Sequence, residues 1–189
     1  PGLPGDTPNS SLASLEGVIA ARADFVRIYP TLVIRGTELA RCYAAGDYLP
    51  LNLERGVSLC KLLLLHALQA GLPVIRIGLQ ADDGLTAETV LAGCWHPSLG
   101  QVVRSQLYRD LIESCVAPGE NVTVHCHPAR FSDVLGQKRC HLDGFARLGV
   151  QVRVVPKPSL EKTEIVIEKN TGNFKYDLLT DLHYSIHEV

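Results

Sequence analysis

Residues 1–37 limit the possible folds of this chain more than any other segment. They begin with the loop Pro-Gly-Leu-Pro-Gly-Asp-Thr, continue with a helical apolar pattern to about residue 22, and are rich in β-branched and aromatic residues over 25–29. Pro30 ends this predicted strand, because proline has no N–H to donate to a sheet ladder. Gly36 and Thr37 then begin a short helix over residues 38–45, which Gly46 ends.

A long helix and a second strand follow. Residues 53–70 predict the longest helix, whose core stripe contains Val57, Cys60, Leu64 and Leu68, and residues 74–79 predict a buried strand. Strand, helix and strand in this order favour a right-handed parallel crossover. Barrels built from such units bind ligands where the strands end. We therefore expect residues 3–7, 29–35 and 79–80 to lie together at the end of the barrel where the strands terminate, here called the mouth. Three arginines are candidate anion contacts there, although alternate strand residues also face solvent: Arg27, Arg35 and Arg76.

The Gly-Leu-Pro loop, the strand ending in Tyr-Pro and the Gly-Thr helix start together resemble the radical S-adenosylmethionine enzymes. The nearest branch comprises relatives of the elongator catalytic subunit, with the oxygen-independent coproporphyrinogen oxidases more distant. The resemblance implies that the loop follows the fifth strand of a partial (β/α) barrel and that residues 25–29 form the sixth. It also implies that S-adenosylmethionine lies near four loop residues, namely Gly2, Leu3, Pro4 and Gly5.

The same resemblance implies that the cysteines holding a 4Fe–4S cluster precede Pro1. The six cysteines of this chain are scattered, with no Cys-x-x-Cys and no Cys-x-x-x-Cys-x-x-Cys. This spacing excludes a zinc knuckle and the iron–sulfur motif of the family, and we interpret the cysteines as small buried residues. We expect no metal ligand, no catalytic residue and no tightly bound cofactor in this fragment, which should be inactive alone.

Composition and charge restrict the remaining functions. A chain of 189 residues with 46% hydrophobic and 20% charged residues can bury a core. Its net charge of −2 means that any nucleic-acid contact depends on a local patch. The longest apolar run, residues 62–65, is far shorter than the roughly 20 residues of a membrane span. We therefore expect a cytoplasmic protein without membrane contact.

The second half of the chain predicts a small α+β module. The polar stretch 81–84 marks a boundary between a barrel end over 1–80 and a module over 81–168, with a tail over 169–189. Within the module, a helix over 98–115 precedes a strand over 121–127, a helix over 130–135, a helix over 140–148 and a strand over 150–155. The chain ends with a strand over 162–168, a turn over 170–173 and either a last strand or a docked segment over 174–186.

The strand–helix–helix–strand order over residues 121–155 resembles the core of a KH domain. That likeness implies that the loop between the helices grips the backbone of single-stranded RNA. The loop consists of Gly136, Gln137, Lys138 and Arg139, and Arg139 stands where the KH motif has its second glycine. The arginine adds a cation, but its side chain opposes the tight turn of the motif, so the fold can persist while the grip on RNA is altered or lost.

Two histidine patterns are poor metal sites. His125 and His127 point to one side of a strand and Cys126 to the other, so the three cannot converge. His183 and His187 have helical spacing, but no glutamate stands beside His183 as the zinc-protease motif requires.

Three functions remain open. The chain is the C-terminal part of a radical S-adenosylmethionine oxidoreductase or tRNA-modification-like enzyme, or it presents RNA to the barrel through a KH-like module, or it has a purely structural or dimerising role. The expected partners are the missing N-terminal barrel half of the same protein, RNA, and a second copy paired through the exposed edge of residues 26–29.

Overall fold

The computed structural model describes residues 1–79, 85–86 and 88–188, and it confirms the α/β class. The first half of the chain contains α1 (Pro8–Ala20), β1 (Val26–Ile28), β2 (Leu32–Ile34), α2 (Glu38–Ala45), α3 (Leu53–Gln69), β3 (Val74–Ile77) and β4 (Val90–Gly93). The second half contains α4 (Leu99–Cys115), β5 (Asn121–Cys126), α5 (Phe131–Leu135), α6 (Cys140–Arg147), β6 (Gln151–Pro156), β7 (Glu164–Lys169), β8 (Gly172–Asp177) and α7 (Leu178–Asp181). Single 3-10 turns occur at Pro128–Arg130, Gln137–Arg139 and Ile186–Glu188.

Internal contacts divide the chain into two compact units. The first comprises Pro1–Val103 together with the C-terminal residues from Tyr184 onward, and the second comprises Arg104–His183. The boundary predicted at residues 81–84 lies outside the described residues, as does Gln80 of the predicted mouth. The predicted division into 1–80, 81–168 and 169–189 stays a prediction.

The first unit contains the parallel pair that the sequence predicts. β1 and β3 pair in parallel, with Val26 opposite Val74 and Ile28 opposite Ile77. A second pair was not expected: β2 runs antiparallel to β4, with Leu32 opposite Gly93. The sequence does not predict β2, because this strand contains only three residues and directly follows a Tyr-Pro-Thr segment.

Two helices of this unit differ in detail from their predictions. Helix α1 begins at Pro8, because the hydroxyl of Thr7 caps it and Ser10 completes a capping box, and it ends at Ala20 rather than at about residue 22. Helix α3 is buried over more than the predicted stripe, since four consecutive leucines, Leu62–Leu65, are all buried. Neighbouring segments therefore cover several sides of α3.

The second unit contains a four-stranded sheet in the order β6-β5-β7-β8. β5 and β6 are parallel, whereas β7 is antiparallel to both of its neighbours β5 and β8. The strand predicted over 174–186 is shorter in the structure, since β8 ends at Asp177. The carboxylate of Asp177 accepts the N–H of Leu179 and begins α7.

The cysteines only partly follow their prediction. Cys60, Cys94 and Cys126 are buried, and Cys42 and Cys115 are partly exposed. The expectation of burial is wrong for Cys140, which is exposed because it follows the loop that leads into α6. A search of the described residues for a helix with the length and apolar character of a membrane span finds none.

Candidate functional site

The segment Pro1–Asp6, here called the glycine–proline loop, is fixed by side chains at Gly2. The N–H of Gly2 donates to Asp6 Oδ2 at 2.6 Å, and the hydroxyl of Tyr48 donates to the Gly2 carbonyl. Gly2 has a left-handed φ of 86°, a conformation that glycine adopts without steric cost. A Cβ at this position would also lie only 2.9 Å from Leu51 Cδ1. The loop therefore has one defined shape.

Asp6 organises this loop through four donors. Its carboxylate accepts the N–H groups of Gly2 and Thr7 and the hydroxyls of Ser10 and Ser11. Burial raises the pKa of Asp6, but the hydrogen bonds from these four residues together outweigh it and hold the pKa below its usual value. The ionised carboxylate thus joins the loop to the first turn of α1.

Thr31 joins the loop to the segment after β1. The Pro1 carbonyl accepts the N–H of Thr31 at 2.9 Å and its hydroxyl at 3.1 Å. The carboxyl end of β1 and the glycine–proline loop are therefore adjacent, as the predicted mouth requires. At the neighbouring strand end, the N–H of Gly78 donates to the Ile28 carbonyl.

Tyr48 is a site residue that sequence reasoning missed. It lies between α2 and α3 and is 8% exposed, so it is a buried aromatic residue within an irregular segment. Burial, and to a smaller extent the Asp6 carboxylate, raises the pKa of Tyr48. A tyrosine in a Gly-Asp-Tyr-Leu-Pro turn was the available signal, but its partner lies 46 residues earlier in the chain.

A cavity of about 470 Å³ opens beside the glycine–proline loop. Leu3, Pro4 and Gly5 are exposed and contribute to its wall. The opposite wall is mostly apolar and comes from α1, β1 and α3, through residues that include Leu15, Val18, Val26, Ile28 and Leu63. A Cβ on Gly5 would meet no heavy atom within 4 Å, so a ligand can approach the backbone there.

The three candidate arginines occupy different surroundings. Arg27 is exposed and lines the cavity. Arg35 donates from Nε to the Glu88 carbonyl at 3.3 Å, and Arg76 lies exposed on β3. Arg27 is therefore the arginine with the clearest access to the cavity.

Residues Gly136–Arg139, here called the basic loop, connect α5 to α6 as the sequence predicts. Gln137, Lys138 and Arg139 are exposed. Lys138 and Arg139 have positive φ values of 51° and 65°, which is uncommon for residues with side chains. Two cations are therefore presented from a tightly wound backbone.

Gly136 and His141 set the shape of the basic loop. Gly136 has φ 72° and ψ 167°, and a Cβ there would lie 2.6 Å from His141 Cδ2. His141 is 2% exposed, and its Nδ1 lies 3.1 Å from the Val134 carbonyl oxygen. Burial is the main cause that lowers the pKa of His141, so the ring is neutral near pH 7 and donates from Nδ1 to the carbonyl.

The remaining histidine candidates form other contacts. His125 Nε2 lies 3.0 Å from Glu168 Oε2 on the neighbouring strand β7, while Cys126 is buried on the opposite side of the sheet. His127 Nδ1 accepts the N–H of Ala129. In the ranges that the structure covers, no three His, Cys, Asp or Glu side chains come together as metal ligands.

Comparison with known proteins gives one match. Residues 23–109 match a family model described as the Radical SAM C-terminal domain. The match covers β1 to the middle of α4 and includes Thr31 and Tyr48, which contact the glycine–proline loop. Neither the curated proteins nor the solved structures searched yield a match.

Proposed function

We propose that this chain, whose residues 23–109 match the Radical SAM C-terminal domain model, is the C-terminal portion of a radical S-adenosylmethionine enzyme and completes its barrel. The elongator-like and coproporphyrinogen oxidase-like branches suggest an oxidoreductase, with modification of tRNA as the favoured reaction. In this proposal the N-terminal half of the barrel belongs to the same protein and is the main partner of the chain. A cytoplasmic location fits the free cysteines of the described residues.

The free side of β1 carries this proposal. Among the residues that the structure describes, β1 pairs only with β3, and the mostly apolar cavity lies along Val26–Ile28. Helix α1 leads from the glycine–proline loop back to the start of β1. The Pro1 carbonyl accepts a hydrogen bond from Thr31, which lies just beyond the end of β1. A strand entering at Pro1 would therefore run parallel to β1 and fill the cavity edge, as the fifth strand of the barrel does in the resemblance.

The chain's own residues support a positioning role. When bound, S-adenosylmethionine and the 4Fe–4S cluster supply the radical that abstracts hydrogen from the substrate. No Cys-x-x-x-Cys-x-x-Cys is present in this sequence, and in this proposal the other barrel half would supply the cysteines that hold the cluster. Gly2, Leu3, Pro4 and Gly5 would border S-adenosylmethionine, with Asp6 and Tyr48 holding their backbone in place. The fragment alone would then be inactive.

Reconstitution tests this function. We expect the chain combined with a cysteine-bearing N-terminal half to convert S-adenosylmethionine to 5′-deoxyadenosine under reducing conditions, and the chain alone to form none. The matched control is the same pair with one motif cysteine replaced by alanine, which should be inactive. Product formation by the chain alone, or an upstream gene sequence that lacks the cysteine motif, would rule out the proposal.

A second candidate function is RNA binding by the basic loop. The observations that favour it are the exposed cations Lys138 and Arg139 on a left-handed backbone, in a module whose elements run β5, α5, α6 and β6. The KH likeness suggests that this loop holds the RNA backbone, and a tRNA substrate would make both functions compatible.

The double variant Lys138→Ala/Arg139→Ala tests the RNA contact. It should weaken binding of single-stranded RNA and flatten its dependence on salt by about 0.7 for each lost phosphate contact. Unchanged affinity would instead favour a module that only packs against the barrel or forms dimers through an exposed strand edge. Sedimentation velocity at high concentration distinguishes a dimer from a monomer.

A further inference from the structure

Two arginines share one buried carboxylate in the Arg104–His183 unit. Arg130 Nη1 lies 3.3 Å from Asp133 Oδ2, and Arg104 Nε lies 3.7 Å from the same oxygen. The Asp133 side chain is only 7% exposed. The two guanidinium groups therefore exceed the carboxylate that they contact by one positive charge.

The arginines retain donors that Asp133 does not use. An arginine has five N–H groups, and Arg104 Nε is buried without a hydrogen-bond partner among the residues that the structure describes. The side chains of Arg104 and Arg130 are 41% and 29% exposed, so the pair reaches the surface. A purely internal ion pair would need only one of these two cations.

The pair lies where two parallel strands end. β5 ends at Cys126 opposite Pro156 of β6, and the N–H of Lys157 donates to the Cys126 carbonyl. Arg130 comes immediately before α5, while the basic loop comes immediately after it. A five-residue helix is about 7 Å long. One nucleic-acid strand can therefore contact both ends of α5 with neighbouring phosphates.

We propose that Arg104 and Arg130, held in place by Asp133, bind a phosphate of the RNA backbone. The planar guanidinium group suits phosphate because it donates two parallel hydrogen bonds. This inference rests on the proposed RNA binding by this module and adds a phosphate site to it outside the basic loop. The site selects for charge and strand spacing, since backbone phosphates carry no base information.

Arg104→Gln is the informative variant. It removes one cation while Arg130 keeps its contact with Asp133, so the buried carboxylate remains paired and the unit should fold. Arg109→Gln is the matched control, because Arg109 lies on the same helix α4, is 36% exposed and pairs with Glu113 at 3.4 Å. Both substitutions change the net charge equally.

Fluorescence anisotropy with a labelled oligouridylate of about ten nucleotides measures binding across a salt series. We expect Arg104→Gln to weaken binding about three- to tenfold and to reduce the salt slope by about 0.7, while Arg109→Gln changes neither. In parallel, ¹⁵N NMR of labelled arginine follows the Arg104 Nε–H signal during titration with inorganic phosphate. Circular dichroism verifies that both variants are folded.

The outcomes separate this site from the basic loop. If Arg104→Gln behaves like Arg109→Gln while Lys138→Ala/Arg139→Ala weakens binding, RNA binding stands and the second site is refuted. If only Arg104→Gln weakens binding, the second site stands and the loop contact is refuted. If the protein does not bind RNA, a phosphate-induced shift of the Arg104 signal supports a site for free phosphate and refutes the RNA assignment, whereas no shift overturns the site itself.

Discussion

Replacing Gly136 by alanine should destabilise the Arg104–His183 unit by about 2–6 kcal/mol, as the sum of two effects. The backbone at Gly136 has φ 72° and ψ 167°, and a side chain in this region costs about 1–3 kcal/mol. In addition, the new Cβ would lie 2.6 Å from Cδ2 and 2.8 Å from Cγ of His141. The ring is buried and hydrogen-bonded to the Val134 carbonyl, so it cannot move aside easily. Overpacking therefore adds about 1–3 kcal/mol.

Gly119→Ala is the matched control for this substitution. Gly119 lies in the same unit and has a φ of 89°, but a Cβ added there would meet no heavy atom within 4 Å. Gly119→Ala should therefore carry only the backbone effect, about 1–2 kcal/mol. Urea denaturation followed by far-ultraviolet circular dichroism gives the free energies of unfolding. Hydrogen exchange of peptides from β5 and α6 assigns the loss to this unit.

A double substitution isolates the steric contribution. His141→Ala removes the ring, so adding Gly136→Ala to it should cost at least about 1 kcal/mol less than in the natural background. The reasoning is refuted if Gly136→Ala and Gly119→Ala destabilise the protein equally, or if the cost of Gly136→Ala does not depend on His141.

Two further predictions concern the glycine–proline loop. Tyr48→Phe removes the donor to the Gly2 carbonyl and should lower the free energy of unfolding by about 1 kcal/mol, whereas Tyr43→Phe on the exposed helix α2 should leave it unchanged; equal effects in urea denaturation would contradict this role. The folded pKa of Asp6 is below its unfolded value, so its stabilisation is present above about pH 4 and is lost as the pH falls through the folded pKa. Asp6→Asn should remove this part of the acid dependence of the urea midpoint, and an unaltered profile for this variant would show that Asp6 contributes nothing.

The local elements were the most predictable part of the fold. Helix α2 has the predicted bounds because Thr37 caps its start and Gly46, with a left-handed φ of 83°, ends it. β1 and β3 are recognisable from their apolar, β-branched residues. The strands β2 and β4 escaped prediction because each contains at most four residues and gains its hydrogen bonds from a segment more than 50 residues away.

The candidate sites follow the same division. The glycines of the loop and the cations of the basic loop are visible in the sequence, as is the resemblance to the radical S-adenosylmethionine enzymes. Tyr48, Thr31 and the Arg104–Asp133–Arg130 group are not, because their significance depends on which distant residue each one contacts. A side chain whose partner is far along the chain leaves no periodic pattern.

The sequence by itself determined the helices with capping residues and the two apolar strands β1 and β3, since each depends on residues within a few positions of each other. Only the tertiary structure decided that one carboxylate, Asp6, and one hydroxyl, Tyr48, fix both polar groups of Gly2, and that His141 leaves no room for a side chain at Gly136. Burial and hydrogen bonding between distant segments are properties of the packed chain, and they act on groups whose local sequence is ordinary.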